Sequence, residues 1–280
     1  MYKALNAGMI GIRLDLLDEI ALAGKTGYGG ITLDPERIME VGEEKVLDQL
    51  LRHGVRNAGF GFEVDLTKEG AEWEKELSKL HRRALAARRT GATRCNHWIL
   101  SSADLPYEAE FERLVKKIRP CAKLLENEGM TLALEFVGTK EVYDKGPYPF
   151  IRTMPEMLRL CASMDAKGCG LLLDSYHLFT AGHSVDDILK LTADQVAFVH
   201  INDALPGIPV DDLPDQNRLL PGESGVIDCK GFIRNLFAIG YEGPVVTEPF
   251  YAPFKDVADP EAKARRLMDA LNSIWVADPN

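Results

Sequence analysis

Met130-Thr-Leu-Ala-Leu-Glu135, Gly170-Leu-Leu-Leu-Asp174, Val196-Ala-Phe-Val-His200 and Gly243-Pro-Val-Val-Thr-Glu248 share one design: a short apolar run ends in a side chain able to bind a metal. Buried parallel strands read as near-continuous apolar runs, and a polar residue at the C-terminal end of each is what a (β/α)8 barrel presents to its active site. Glu135, Asp174, His200 and Glu248 are therefore expected to converge on one divalent ion. Three carboxylates and one imidazole form an oxygen-rich set that suits Mn2+, Mg2+ or Co2+, with Mn2+ preferred and Zn2+ admitted.

Outward from these runs, strand-like and amphipathic helical patterns alternate along the whole chain, as in a parallel sheet built from βα units. Strands are expected near Ala7–Ile12, Gly30–Leu33, Asn57–Val64, Arg94–Ile99, Thr131–Val137, Gly170–Asp174, Ala197–Ile201 and Val245–Pro249. Thr153-Met-Pro-Glu156 reads as a capping box, Asp259-Pro260 as a helix start, and Gly91, Gly129 and Gly240 as helix stops. The four candidate ligands fall on the fifth to eighth strands, 26 to 48 residues apart. A doubly wound open sheet is the rival, but Gly24-Lys-Thr-Gly-Tyr-Gly-Gly30 lies before the second strand and reads as a turn rather than a phosphate loop. Two long connections, from Gly138 to Arg152 and from Ala204 to Gly225, are expected to act as lids or substrate contacts.

A chain of 280 residues with 46% hydrophobic content fits one barrel domain spanning 1–280. The net charge of -10 opposes binding to a long phosphate backbone, so a small-molecule substrate is expected and a nucleic acid is not. Cysteines 95, 121, 161, 169 and 229 are scattered without a Cys-x-x-Cys pair and read as reduced thiols. The stretch before Arg13 and Asp15 is too short in apolar residues for a secretion signal, and no later run spans a bilayer. The expectation is a soluble, cytoplasmic protein, with self-association left open.

The combination of Leu-Ala-Leu-Glu135, Leu-Leu-Leu-Asp174-Ser-Tyr-His177, Val-His200-Ile-Asn-Asp203, Arg218-Leu-Leu-Pro-Gly-Glu223-Ser-Gly225 and Val-Thr-Glu248-Pro-Phe resembles the sugar phosphate isomerase/epimerase family of xylose-isomerase-like TIM barrels. That superfamily also holds ketose 3-epimerases, inosose dehydratases and endonuclease IV. The resemblance covers most of residues 130–250, whereas the first half agrees mainly in fold rhythm. It implies that Glu135, Asp174, His200 and Glu248 hold the metal, that Glu135 and Glu248 also serve as the acid/base pair, and that His177 and Arg218 contact substrate. Between His200 and Arg218 the chain departs from the compact epimerase pattern by a Pro- and Asp-rich insertion, Leu205 to Gln216.

The chemistry expected is isomerisation or epimerisation of a ketose or related keto-polyol, by proton transfer through a metal-bound enediolate. The same enediolate can expel a β-hydroxyl, so a lyase or dehydratase acting on a keto-sugar, keto-inositol or 3-keto-glycoside is the main alternative. An endonuclease IV-like phosphodiesterase needs a site richer in histidine than this one, and His53 and His81 fall in helical stretches. A non-catalytic sugar-binding barrel would not need both glutamates. Weaker expectations are that His97 and Trp98 line the pocket, that Glu63 or Asp65 reaches a sugar hydroxyl, and that Lys140 approaches an anionic group.

Overall fold

The apolar runs become strands of a closed barrel in the computed structural model, which describes residues 1–276. The strands are β1 (Tyr2–Leu5), β2 (Gly30–Thr32), β3 (Arg56–Gly61), β4 (Arg94–Ile99), β5 (Thr131–Phe136), β6 (Cys169–Asp174), β7 (Val196–His200) and β8 (Pro244–Val246). All eight pair in parallel, and β1 bonds to both β2 and β8, which closes the ring and leaves no edge. The α-helices are α1 (Leu16–Lys25), α2 (Pro35–Val41), α3 (Glu43–His53), α4 (Gly70–Arg89), α5 (Tyr107–Asn127), α6 (Lys140–Tyr143), α7 (Met154–Ala162), α8 (Ser175–Thr180), α9 (Cys229–Ala238) and α10 (Pro260–Ile274).

Local chemistry accounts for the helix boundaries. Glu156 caps the Thr153 backbone N–H at 3.0 Å to complete the capping box of α7, and Asp259 accepts from Glu261 N at 3.0 Å with Pro260 in the first position of α10. Gly91, Gly129 and Gly240 take φ values of 89°, 70° and 76° just beyond α4, α5 and α9, a left-handed turn that favours glycine.

Two apolar layers result. Leu134, Leu171, Leu173, Val199 and Val245 pack outward against the helices. Ala4, Ala58, Ala133, Leu172, Phe198 and Val246 form a separate cluster inside the barrel. Ala133, Leu172, Phe198 and Val246 each stand two residues before a candidate ligand. Because strand side chains alternate with a period of two, this places Glu135, Asp174, His200 and Glu248 on the inner face, one layer nearer the C-terminal mouth.

The first strand is displaced from its expected place. Ala7–Ile12 lies outside the barrel strands, with a 3-10 turn at Gly8–Ile10, and β1 is Tyr2–Leu5. Ala7, Ile10 and Ile12 are buried, so the loop carries an apolar pattern that mimics a strand. Gly11, at φ 68°, turns the chain where a strand would run on. An antiparallel ribbon of Ser102–Ala103 with Tyr148–Pro149 ties the long connection after β5 to the end of β4.

Candidate metal centre and its cavity

One ligand atom from each of Glu135, Asp174, His200 and Glu248 falls within 4.8 Å of all the others. His200 Nδ1 lies 3.3 Å from Glu135 Oε1, 3.5 Å from Glu248 Oε2 and 3.9 Å from Asp174 Oδ2. Asp174 and His200 are register partners across β6 and β7, which fixes their spacing by backbone pairing. Glu135 Oε1 and His200 Nδ1 are buried without a hydrogen-bond partner, an arrangement that is costly unless something else occupies the point they face. Once Glu135 and His200 have shed their protons, three carboxylates against the Arg218 guanidinium leave two negative charges in a buried space, which a divalent cation would match. The donor set thus fits a metal of the hard, oxygen-preferring kind.

A supporting shell orients these groups. Asp174 accepts from Tyr176 N at 2.6 Å, Arg218 Nη1 at 2.8 Å and Asn202 Nδ2 at 3.3 Å. Asn202 also accepts from Glu248 N at 3.0 Å, so one amide links two candidate ligands. Arg218 is stacked between Tyr176 and Phe250, 4.7 and 5.1 Å from their ring centres. The fully buried Asp203 accepts from the backbone N–H groups of Ala204, Ser224, Gly225 and Ile227, and holds the Pro-Gly-Glu-Ser-Gly loop against the end of β7.

The four carboxylate and imidazole groups do not share one proton affinity. Burial pushes Glu135 up to about 7 despite the opposing pull of His200. Burial raises Asp174 and Glu248 too, but Arg218 beside the former and His200 and Arg218 beside the latter leave both below the ordinary carboxylate range. Burial disfavours the His200 cation, yet the carboxylates of Glu248 and Glu135 carry its net shift well upward. His177 is the opposite case: burial and the Arg218 charge lower it to about 4, so it is neutral near pH 7. A neutral imidazole has one proton, yet Gly138 N–H donates to its Nδ1 at 3.2 Å while Arg218 Nη2 stands 3.1 Å from its Nε2. With a single ring proton, the imidazole accepts from only one of these two N–H groups, Gly138 or Arg218, and the tautomer decides which.

A cavity of about 540 Å3 opens above the cluster. Glu135, His200 and Glu248 line it, together with Glu63, His97 and Trp98 from the ends of β3 and β4. Asp174, His177 and Arg218 are almost wholly buried and stand behind this wall. Asp65 instead turns to Thr67 and Lys68, and Lys140 pairs with Asp144 on the surface at 2.5 Å. His53 and His81 lie on α3 and α4, outside the cavity. The two long connections meet: Thr139 Oγ1 donates to Asp215 at 3.3 Å, and Asp215 N donates to Glu141 at 3.0 Å.

Three contributors escaped the sequence reading. Asn202 carried a usable signal, because it stands two residues after His200 and so continues the inner face of β7. Asp34 and Arg83 line the opposite side of the cavity and had no distinguishing motif.

Residues 20–274 match the family of xylose isomerase-like TIM barrels. The structure of a xylose isomerase domain protein from Alicyclobacillus acidocaldarius covers 98% of this chain and 97% of its own, at 29% identity and a TM-score of 0.87. Inosose isomerase of Bacillus licheniformis is 27% identical over 136 residues, 49% of this chain and 46% of that protein. Inosose dehydratase of Geobacillus thermodenitrificans is 26% identical over 261 residues, 83% of this chain and 80% of that protein. The chain spans about half the length of the inosose isomerases it matches.

Proposed function

Because the chain belongs to the xylose isomerase-like TIM barrel family, we propose that it is a divalent-metal-dependent isomerase or epimerase of a ketose or related keto-polyol. The observation that carries this reading is the placement of Glu135 and Glu248: both line the cavity, 3.3 and 3.5 Å from His200 Nδ1, while Asp174 is buried behind it. Two carboxylates flanking one point can take a proton from one face of a carbon and return one from the other.

Glu135, Asp174, His200 and Glu248 would hold the ion, with Mn2+ preferred for this donor set. The ion, when bound, polarises a carbonyl and its neighbouring hydroxyl and offsets the negative charge that develops as the proton leaves. Asp174 is fully buried behind the cavity wall and bonded to Arg218, which supports a holding role rather than proton transfer. Arg218 and His177 are proposed as substrate contacts on the sequence resemblance alone; in the structure both side chains are almost wholly buried behind the cavity wall, where Arg218 bonds Asp174.

The test follows the proton. Turnover of a ketose panel in deuterated water places deuterium on the carbon next to the carbonyl, and conversion without deuterium in product or recovered substrate sinks the two-carboxylate mechanism. A second reading, dehydration of a keto-sugar or keto-inositol, is favoured by the match to an inosose dehydratase over most of the chain. Loss of a β-hydroxyl alongside deuterium exchange distinguishes it.

A further inference from the structure

The ends of β5 to β8 bring the candidate ligands to one side of the barrel mouth, and the ends of β2 and β3 bring a different set to the same cavity. Asp34 follows β2 and Glu63 follows β3, neighbouring strands of the barrel. Arg83, from α4, joins them. Its Nη1 lies 3.0 Å from Glu63 Oε2 and 3.3 Å from Asp34 Oδ1, and its Nη2 donates to Gly61 O at 3.2 Å. The Arg83 side chain is 1% exposed, and its Nε is buried with no hydrogen-bond partner. The two carboxylates it holds keep 42% and 58% of their side-chain surface exposed.

The charge of this wall decides what it can hold. Two carboxylates against one guanidinium leave it acidic, and the other guanidinium of the cavity, Arg37, is matched by Glu19 at 2.9 Å. An ionised carboxylate only accepts, so Asp34 and Glu63 suit hydroxyl donors, and a hydrogen bond to a charged acceptor is stronger than a neutral one. A phosphate would bring more acceptors and a like charge to a wall with no unmatched guanidinium.

We infer that Asp34 and Glu63, clamped by Arg83, form a second subsite of the cavity that binds the hydroxyl groups of a neutral polyol and turns away its phosphate ester. The inference rests on the reading of this cavity as a ketose-converting site: a substrate whose carbonyl end lies among Glu135, His200 and Glu248 has this wall before its remaining hydroxyls. Arg83 is a positioning residue, because its guanidinium is buried behind the carboxylates it orients.

The experiment uses the metal-loaded full chain with Asp34→Asn and Glu63→Gln. Both changes keep side-chain shape, and an asparagine can still cap α2, where Asp34 now accepts from Glu36 N at 3.0 Å. Steady-state kinetics compare a four-carbon ketose, a six-carbon ketose and the six-carbon phosphate ester. Titration calorimetry with an alditol, which has no carbonyl to react, reads binding independently of turnover. Each variant is expected to raise the six-carbon KM about ten-fold with little loss of kcat, and the four-carbon KM by less, because the lost contacts are to distal hydroxyls. The phosphate ester is the poorer substrate of the wild type, and each variant narrows that gap. Alditol binding that weakens in the variants while no ketose is converted upholds the subsite and overturns the catalytic reading instead. Unchanged KM and alditol affinity in both variants, or a wild-type preference for the phosphate ester, overturns the subsite.

Discussion

Arg218 Nη1 donates to Asp174 Oδ2 at 2.8 Å across 44 residues of sequence, and both side chains are 1% exposed or less. Removing one partner of a buried pair typically costs about 3–5 kcal/mol, because the other charge is left without compensation. Arg218→Met is therefore expected to destabilise the metal-free protein by about that amount. Saturating Mn2+ is expected to recover part of the loss, since a bound cation also faces Asp174. Denaturant unfolding with and without metal checks this, and an equal loss in both states shows that Asp174 is not near the ion.

The cluster of Glu135, Asp174, His200 and Glu248 is expected to bind one divalent ion per chain. Glu135→Gln, Asp174→Asn and His200→Gln should each weaken it by about a hundred-fold or more, beyond the 10–100-fold cost of losing an outer partner. Elemental analysis and titration calorimetry give stoichiometry and affinity, and a full complement of metal in all three variants would place the ion elsewhere.

Metal affinity is expected to depend on pH with a definite sign. Glu135, held up near 7 by burial, and His200, shifted upward by Glu248 and Glu135, must both shed protons before they can ligate. Affinity therefore falls as pH drops from 8 to 6, and binding releases protons. Calorimetry in buffers of different ionisation enthalpy measures that release, and affinity flat across the range rules the linkage out.

Glu135→Gln and Glu248→Gln are each expected to lower turnover by about 10²-fold or more, a common scale for losing a general acid or base. Metal content is measured in the same samples. Full activity in metal-replete variants would remove both from proton transfer.

Gly138 follows β5 and packs against α8, where a Cβ would stand 2.1 Å from His177 O and 2.7 Å from Thr180 Oγ1. The first of these is backbone and cannot swing aside. Gly138→Ala is expected to cost about 1–3 kcal/mol, the usual scale of overpacking. It should also disturb the Gly138 N–H bond that orients His177. Thermal unfolding reads the first effect, and the His177 ring resonances in an NMR spectrum read the second.

Much of this protein was legible in the chain because its two main signals are local. A strand alternates every two residues, so Ala133 below Glu135 and Phe198 below His200 mark the inner face before any contact is known. Helix caps such as Thr153 with Glu156 act within one turn. The same local reasoning failed at Ala7–Ile12, where Ala7, Ile10 and Ile12 are buried by a loop rather than by a strand. Tertiary structure alone decided that Arg218 grips Asp174, that Asn202 bridges Asp174 and Glu248, and that Asp34, Glu63 and Arg83 meet on the far wall. Those meetings depend on ring closure between β1 and β8 and on the register of each strand pair, which sum packing over the whole chain. Sequence by itself determined that Glu135, Asp174, His200 and Glu248 end inner-facing strands at the mouth of the barrel; only closure decided which side chains face one another there.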